Sequence, residues 1–171
     1  SAPEFMAERD GVIEVAGRRF EVTVLPDAQP QVALGKTPER RADGRLVQDF
    51  TASDDTGVAG GHAVIALDLA AVDRRFGLAS TPEPREAVRL DLPLPASGDR
   101  KQVTGRLSAD LSRHPFANLP VTVSLEVEDG IGQKGVSAPV QMVLPGRRFF
   151  DPLAAALIEI RRDLLWTRGN A

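Results

Sequence analysis

Along most of the chain apolar residues alternate with polar ones, and only near the end does the spacing lengthen to that of a helix. The pattern centres on Leu46 to Leu67. Leu46, Val47 and Phe50 lead into a polar break at Asp54, Asp55, Thr56 and Gly57, and Ala63, Ile65 and Leu67 lead out of it at period two. Val64 and Ala66 are apolar as well, so the second strand of this strand–turn–strand unit is expected to be covered on both faces. The remaining strands are expected to be arranged about this pair.

Before it, Gly11 to Leu25 predicts a hairpin. Ile13 and Val15 share one face of its first strand, Phe20, Val22 and Val24 share one face of its second, and Gly17 lies in the turn. Pro26, Asp27 and Pro30 interrupt the pattern and read as a linker, since proline removes a donor and restricts the residue before it. Gln31 to Gly35 fits a short edge strand. Lys36 to Arg45 reads as a solvated loop, with an anion or headgroup contact through Arg40, Arg41 and Arg45 as the alternative.

After it, Ala70 to Glu86 is the longest irregular stretch, with room for a helical turn at Ala70 to Phe76. Val88, Leu90, Leu92 and Leu94 alternate, and Pro93 and Pro95 place that strand at an edge or end it there. Gln102 to Leu111 alternates through Val103, Leu107 and Leu111. Val121, Val123, Leu125 and Val127 form the cleanest strand, the glycines of Asp129 to Gly135 turn it, and Val136 to Leu144 returns. About seven strands after Pro30, with no helices between them, predict an all-β antiparallel sandwich, Ig-like or fibronectin-III-like. At the end, Asp151 before Pro152 marks a helix start. Leu153, Leu157, Ile160 and Leu164 then recur at steps of 4, 3 and 4, with Arg161 and Arg162 off that stripe. The stripe can fold onto the sandwich or meet a partner, and is the candidate interaction surface.

The expected organisation is therefore a cloning remnant and irregular N-terminus over 1–10, a hairpin and linker over 11–29, a sandwich over 30–148 and a helix over 149–171. Ser1 to Phe5, before Met6, is left out of the fold. At 171 residues a single domain with an appendage needs no staples. The absence of cysteine removes disulfides, thiolate metal sites and a cysteine nucleophile. A net charge of −3 without a basic stripe argues against nucleic acid, and a chain with no tyrosine and one tryptophan offers no evident stacking platform. No run approaches the ~20 apolar residues of a membrane span.

Chemistry is sparse. Asp54 and Asp55 are expected first as turn formers. The alternative is a weak calcium site in which Asp54 and Asp55 join Asp129, Asp49 or another loop carboxylate. His62 and His114 have no nucleophile or metal partner in any recognisable motif, and His114 is expected to pack or to bond the backbone. Gly57, Gly60 and Gly61 lack the Lys-Ser/Thr of a phosphate loop, and Gly130, Gly132 and Gly135 lack the helix of a dinucleotide site. Phe149 and Phe150 read as a hydrophobic anchor before the helix. No enzyme, cofactor or metal requirement is expected.

The blocks VTVLPDAQPQVAL (Val22 to Leu34), DFTASDDTGVAGGHAVIAL (Asp49 to Leu67), SRHPFANLPVTVSLEVEDGIGQKG (Ser112 to Gly135) and LPGRRFFDPLAAALIEIRRDLL (Leu144 to Leu165) resemble, in order, a domain-of-unknown-function family of large alphaproteobacterial inner-membrane proteins. Thr56 stands where that family commonly has an aromatic, and Phe116 where tryptophan is common. The resemblance implies transmembrane helices before this segment, a periplasmic position for it and a long helical region after Trp166, and it carries over no catalytic residues, since the family has no established activity. The expected role is a non-catalytic periplasmic module for structure or protein interaction, partnering or self-associating through the C-terminal helix. The alternative is a calcium- or envelope-glycan-binding sandwich.

Overall fold

The structure is a computed structural model that describes residues 7–36, 43–72, 84–147 and 150–166, with backbone alone for 162–166. The chain opens with the expected hairpin, β1 (Gly11–Val15) against β2 (Arg18–Val22). Ala16 and Gly17 both take positive φ (49° and 73°), the two-residue turn whose twist suits paired strands. Ile13 faces Phe20, so the apolar side chains of the two strands share one face. Nothing from the sandwich covers that face fully: Phe20 and Val15 remain more than half exposed.

Beyond the linker come β3 (Gln31–Leu34), β4 (Leu46–Ser53), β5 (Val58–Leu67) and β6 (Val88–Asp91). Then follow β7 (Gln102–Ala109), β8 (Pro120–Asp129), β9 (Lys134–Val136), β10 (Val140–Val143) and the helix α1 (Pro152–Trp166). The strands after the linker form two antiparallel sheets, β3-β4-β7 and β10-β8-β5-β6, with β9 also on β8. This is the all-β sandwich that the alternation predicts. Three expectations are corrected in detail. β4 and β5, adjacent in sequence, do not pair. They belong to opposite sheets, and Asp54 to Gly57 carries the chain across. The return strand is two pieces on one edge of β8, because Pro139 has no amide to donate and Ser137 bridges the gap. Ser137 N donates to the Leu125 carbonyl at 2.9 Å, while its Oγ accepts from Leu125 N at 2.9 Å. Finally, Val64 and Ala66 are half-buried rather than covered, since they lie on the outer face of their sheet, away from Ala63 and Ile65.

The core lies between the sheets. Phe50, Ala52, Val103 and Leu107 from one sheet meet Val58, Ala63, Leu125 and Val127 from the other. A second cluster of Leu46, Ile65, Phe116, Val121, Val123 and Leu144 continues it toward the opposite pole. Phe50, 1% exposed, pairs across the strands with Gly105, and its ring lies against that glycine. A Cβ added at Gly105 would stand 2.6 Å from Phe50 Cε1, too close for a ring that is packed on every side.

The registers also fix the poles. Gln31 faces Ser53, Gln102 faces Ser53 and Asp129 faces Val58, so the linker enters at the Asp54 pole. Leu46 faces Ala109, and Pro120 faces Val143, so the chain leaves for α1 at the other pole. Most of the expected loop at Lys36 to Arg45, and Phe76 with most of the Ala70 to Glu86 stretch, lie outside the described residues.

Gly105→Ala is expected to cost about 1–3 kcal/mol through overpacking of Phe50, and Phe50→Leu in the same chain to restore part of it. Urea unfolding of the two single variants and the double variant measures the coupling; additive losses would contradict the packing.

Candidate functional site

The acidic turn begins where β4 ends. Asp54 is 7% exposed, and its Oδ2 accepts from Thr56 N at 3.1 Å, Thr56 Oγ1 at 2.8 Å and Gly57 N at 2.7 Å. The amides on either side are taken by the neighbouring segment: Asp54 N donates to the Lys101 carbonyl and Val58 N to that of Arg100. Gly57 sits at φ 111° with its α-carbon turned against the Asp99 carbonyl, a position closed to a side chain. The expected role of Asp54 as a turn former is thus present in full.

A second carboxylate does the same work beside it. Asp129, 2% exposed, ends β8 opposite Val58, and its Oδ1 accepts from Ile131 N at 2.9 Å and Gln133 N at 2.8 Å. In each carboxylate the other oxygen, Asp54 Oδ1 and Asp129 Oδ2, is buried without a hydrogen-bond partner. Asp27 reaches the same pole from the linker. Gln133 Nε2 donates to its Oδ2 at 3.1 Å, and its carboxylate meets that of Asp55. Burial first, then the charges of Asp55, Asp129 and Asp54, raise the Asp27 pKa above the usual 3.8. Asp54, Asp55 and Asp129 thus lie at one pole, with Asp27 beside them. Asp49 is not among them: it is bound to Arg106 at 2.6 and 3.2 Å, which holds its pKa low. Among the described residues no three such side chains converge tightly enough to hold a metal ion as they stand.

The two histidines are apart. On the outer face of the second sheet His62 Nε2 lies 2.8 Å from Glu126, directly opposite in register, and Arg89 approaches the same carboxylate at 3.5 Å. His62 and Glu126 border an open groove of about 350 Å³ that also touches Gly60, Gly61, Glu128 and Lys134. His114 Nδ1 accepts from Phe116 N at 3.1 Å, and its ring stands edge-on to Phe116 at 4.7 Å. The expected backbone bond is present, and burial lowers the His114 pKa from 6.5.

Residues 1–171 match the domain of unknown function DUF4175. The chain belongs to the DUF4175 family. No curated protein matches it. Among the described residues of this DUF4175 domain, no helix is long and apolar enough to cross a membrane.

The DUF4175 helix starts as its sequence predicts: Leu153 N donates to Asp151 Oδ1 at 2.9 Å, and Ala155 N to the Asp151 carbonyl. Its stripe does not fold onto the sandwich. Leu153, Leu157 and Ile160 are 68%, 59% and 57% exposed; the Leu164 side chain lies outside the described residues. Phe150, at 92% exposure, anchors nothing, which corrects that expectation; Phe149 and Arg40 with Arg41 are outside the described residues. Sequence reading missed Asp27 and Glu126, whose partners are far along the chain. Asp27 sits between two prolines and reads as punctuation.

Asp54→Ala is expected to lower stability by about 2–4 kcal/mol in urea melts, since it strands two turn amides, and Asp54→Asn, which keeps an acceptor, by less. For His114 the folded state favours the neutral ring. Its contribution is complete above the unfolded value of 6.5 and is lost as pH falls through the depressed folded value. Stability of the wild type is expected to drop more between about pH 7.5 and pH 5 than that of His114→Asn, which retains an acceptor without titrating.

Proposed function

We propose that this DUF4175 domain is a non-catalytic spacer and protein-interaction module on the periplasmic side of a bacterial inner membrane. In this reading it forms part of a larger membrane-anchored protein. The observation that carries the reading is the placement of the two ends. The chain enters at the Asp54 pole and leaves at the opposite one, as the strand registers require. A ten-residue strand such as β8 covers roughly 33 Å at about 3.3 Å per residue, which is the separation the sandwich imposes.

Both terminal elements carry apolar surface that the sandwich does not bury. A two-stranded hairpin is marginal alone in water, so the exposed Val15 and Phe20 face fits the tail of a preceding β-unit. The exposed stripe of α1 fits a helical partner or a second copy, and two heptads need such a neighbour to be stable. The division into a three-stranded and a five-stranded sheet, β9 and β10 being two pieces along one edge of β8, supports the Ig-like or fibronectin-III-like assignment. The resemblance in sequence supports the membrane context. Among the described residues the groove beside His62 is lined by no Phe, Tyr or Trp side chain, which favours the spacer over glycan recognition.

Light scattering coupled to size exclusion tests the helix. The wild type is expected to self-associate, or to bind the helical region that the resemblance places after Trp166. Leu153→Glu/Leu157→Glu/Ile160→Glu is expected to abolish that while leaving the sandwich's melting midpoint within about 2 °C. Association unchanged in the triple variant would overturn the interaction surface, and a reproducible hydrolase or transferase activity of the purified domain would overturn the non-catalytic reading.

A further inference from the structure

We propose that the free edge of β7 is a self-association surface, on which a second copy of the chain pairs antiparallel through its own β7. The inference stands apart from the interaction role of the helix. It starts from a difference among the sheet edges. The other edge strands are short and bounded by proline. β3 has four residues and follows Pro30, β6 has four with Pro93 two residues beyond it, and β9 and β10 have three and four with Pro139 between them. Brevity and proline are means by which sheets protect their edges from other chains. β7 ends the β3-β4-β7 sheet with eight residues, no proline, no lysine and an unbroken register to β4. Among the described residues β4 is its one strand partner.

The phase of the hydrogen bonds fixes which groups that edge presents. Asp54 N donates to the carbonyl of Lys101, which stands opposite it one step beyond the Ser53–Gln102 pair. Asp54 and Lys101 are therefore a hydrogen-bonded pair, and such pairs alternate with non-bonded ones along an antiparallel ladder. Val103, Gly105, Leu107 and Ala109 accordingly bond to β4, while Gln102, Thr104, Arg106 and Ser108 turn both amide and carbonyl toward the open side. The side chains of these last four are exposed on the outer face of the sheet, where Asp49 holds Arg106.

A second β7 is complementary to this edge in one register. Pairing Gln102 with Ser108 of the second copy, and Thr104 with its Arg106, uses every open residue of both strands, and each pair exchanges two bonds. The two-fold axis then passes between Gly105 and its counterpart, where the lack of side chains suits the ~4.5 Å approach of a non-bonded pair. Phe50, packed against Gly105 from within, keeps that position small. Sliding two residues one way sets Arg106 against Arg106, like charges directly opposite, and sliding the other way leaves Ser108 unpaired. The favoured register also brings the exposed Asp110 of each copy beside the exposed Lys101 of the other, so opposite charges meet at both ends. The product is one continuous sheet across two copies, closed by a two-fold axis.

A contact one strand wide belongs to the small, transient class of interfaces, with a dissociation constant on the order of 0.1–1 mM. The test uses the whole chain carrying Leu153→Glu/Leu157→Glu/Ile160→Glu, so that the helix stripe contributes nothing, at concentrations up to about 1 mM. Sedimentation equilibrium is expected to show the average mass rising toward that of a dimer. Amide exchange followed by NMR is expected to slow with concentration at Gln102, Thr104, Arg106 and Ser108, while Val103, Gly105, Leu107 and Ala109 stay protected throughout. Thr104→Glu, which faces Arg106 twice in the dimer, is expected to tighten it about 2- to 10-fold, and Thr104→Lys to loosen it by a similar factor. Both should melt within about 2 °C of their parent in dilute solution, since the side chain points to solvent. A monomer at the highest concentration, or a dimer in which those four amides exchange no more slowly, overturns the edge contact. Equal responses to Glu and Lys overturn the register. Neither result touches the helix reading, which is tested in dilute solution where the edge contact is dissociated.

Discussion

The sandwich depends on one crossing. Within four residues, Asp54 to Gly57, the chain must leave the β3-β4-β7 sheet and enter the sheet of β5. A turn between sheets cannot satisfy its amides by strand pairing, and buried amides without partners are rarely tolerated. One carboxylate oxygen, Asp54 Oδ2, takes the amides of Thr56 and Gly57 together with the Thr56 hydroxyl. The carbonyls of Lys101 and Arg100 take the amides at the two ends. With the crossing fixed, the inward residues on its two sides face each other. Phe50 and Ala52 before it and Val58 and Ala63 after it stand in one core cluster.

The alternation of the sequence makes strand faces legible but not strand neighbours. Period two says which side chains of β8 point inward, and Val121, Val123, Leu125 and Val127 all do. It says nothing about whether β5 lies beside β4 or across the core from it, because either arrangement buries the same side chains. The break in the return strand has a similar origin. Val136 to Leu144 keeps an apolar character, and only Pro139 hints that the ladder to β8 fails there. Helix signals are more local, so the Asp151 cap and the start at Pro152 could be read directly, whereas the surroundings of the stripe could not. Of the candidate site, Asp54 was legible because its partners are two and three residues away. Asp27 was not, because its donor Gln133 lies 106 positions on.

The two poles are built from different chemistry. At the exit pole Phe116, Leu119 and Leu144 are buried, Leu144 N donates to the Leu119 carbonyl, Asn118 N donates to that of Leu144, and Asn118 Nδ2 reaches Arg147. The segment that leads to α1 is therefore sealed by apolar contact and backbone pairing, neither of which responds much to ions. At the entry pole the linker is held through Asp27 and Gln133, beside carboxylates that repel one another.

This asymmetry bears on what a spacer can do. A module that separates two attachments transmits position faithfully only where its joints are stiff. On the exit side the described segment is held in place as far as Leu144, since moving that residue would open the core cluster around Phe116 and Val121. At the entry Pro30 is buried and Val32 packs against the core, but the linker before them is held by the polar contact of Gln133 with Asp27, beside like charges. The contact of Asp27 with its neighbours therefore depends on the charge state of that pole. Protonation lowers the repulsion as pH falls, and does so earlier for Asp27, whose pKa is raised above 3.8 by burial first and then by its neighbours.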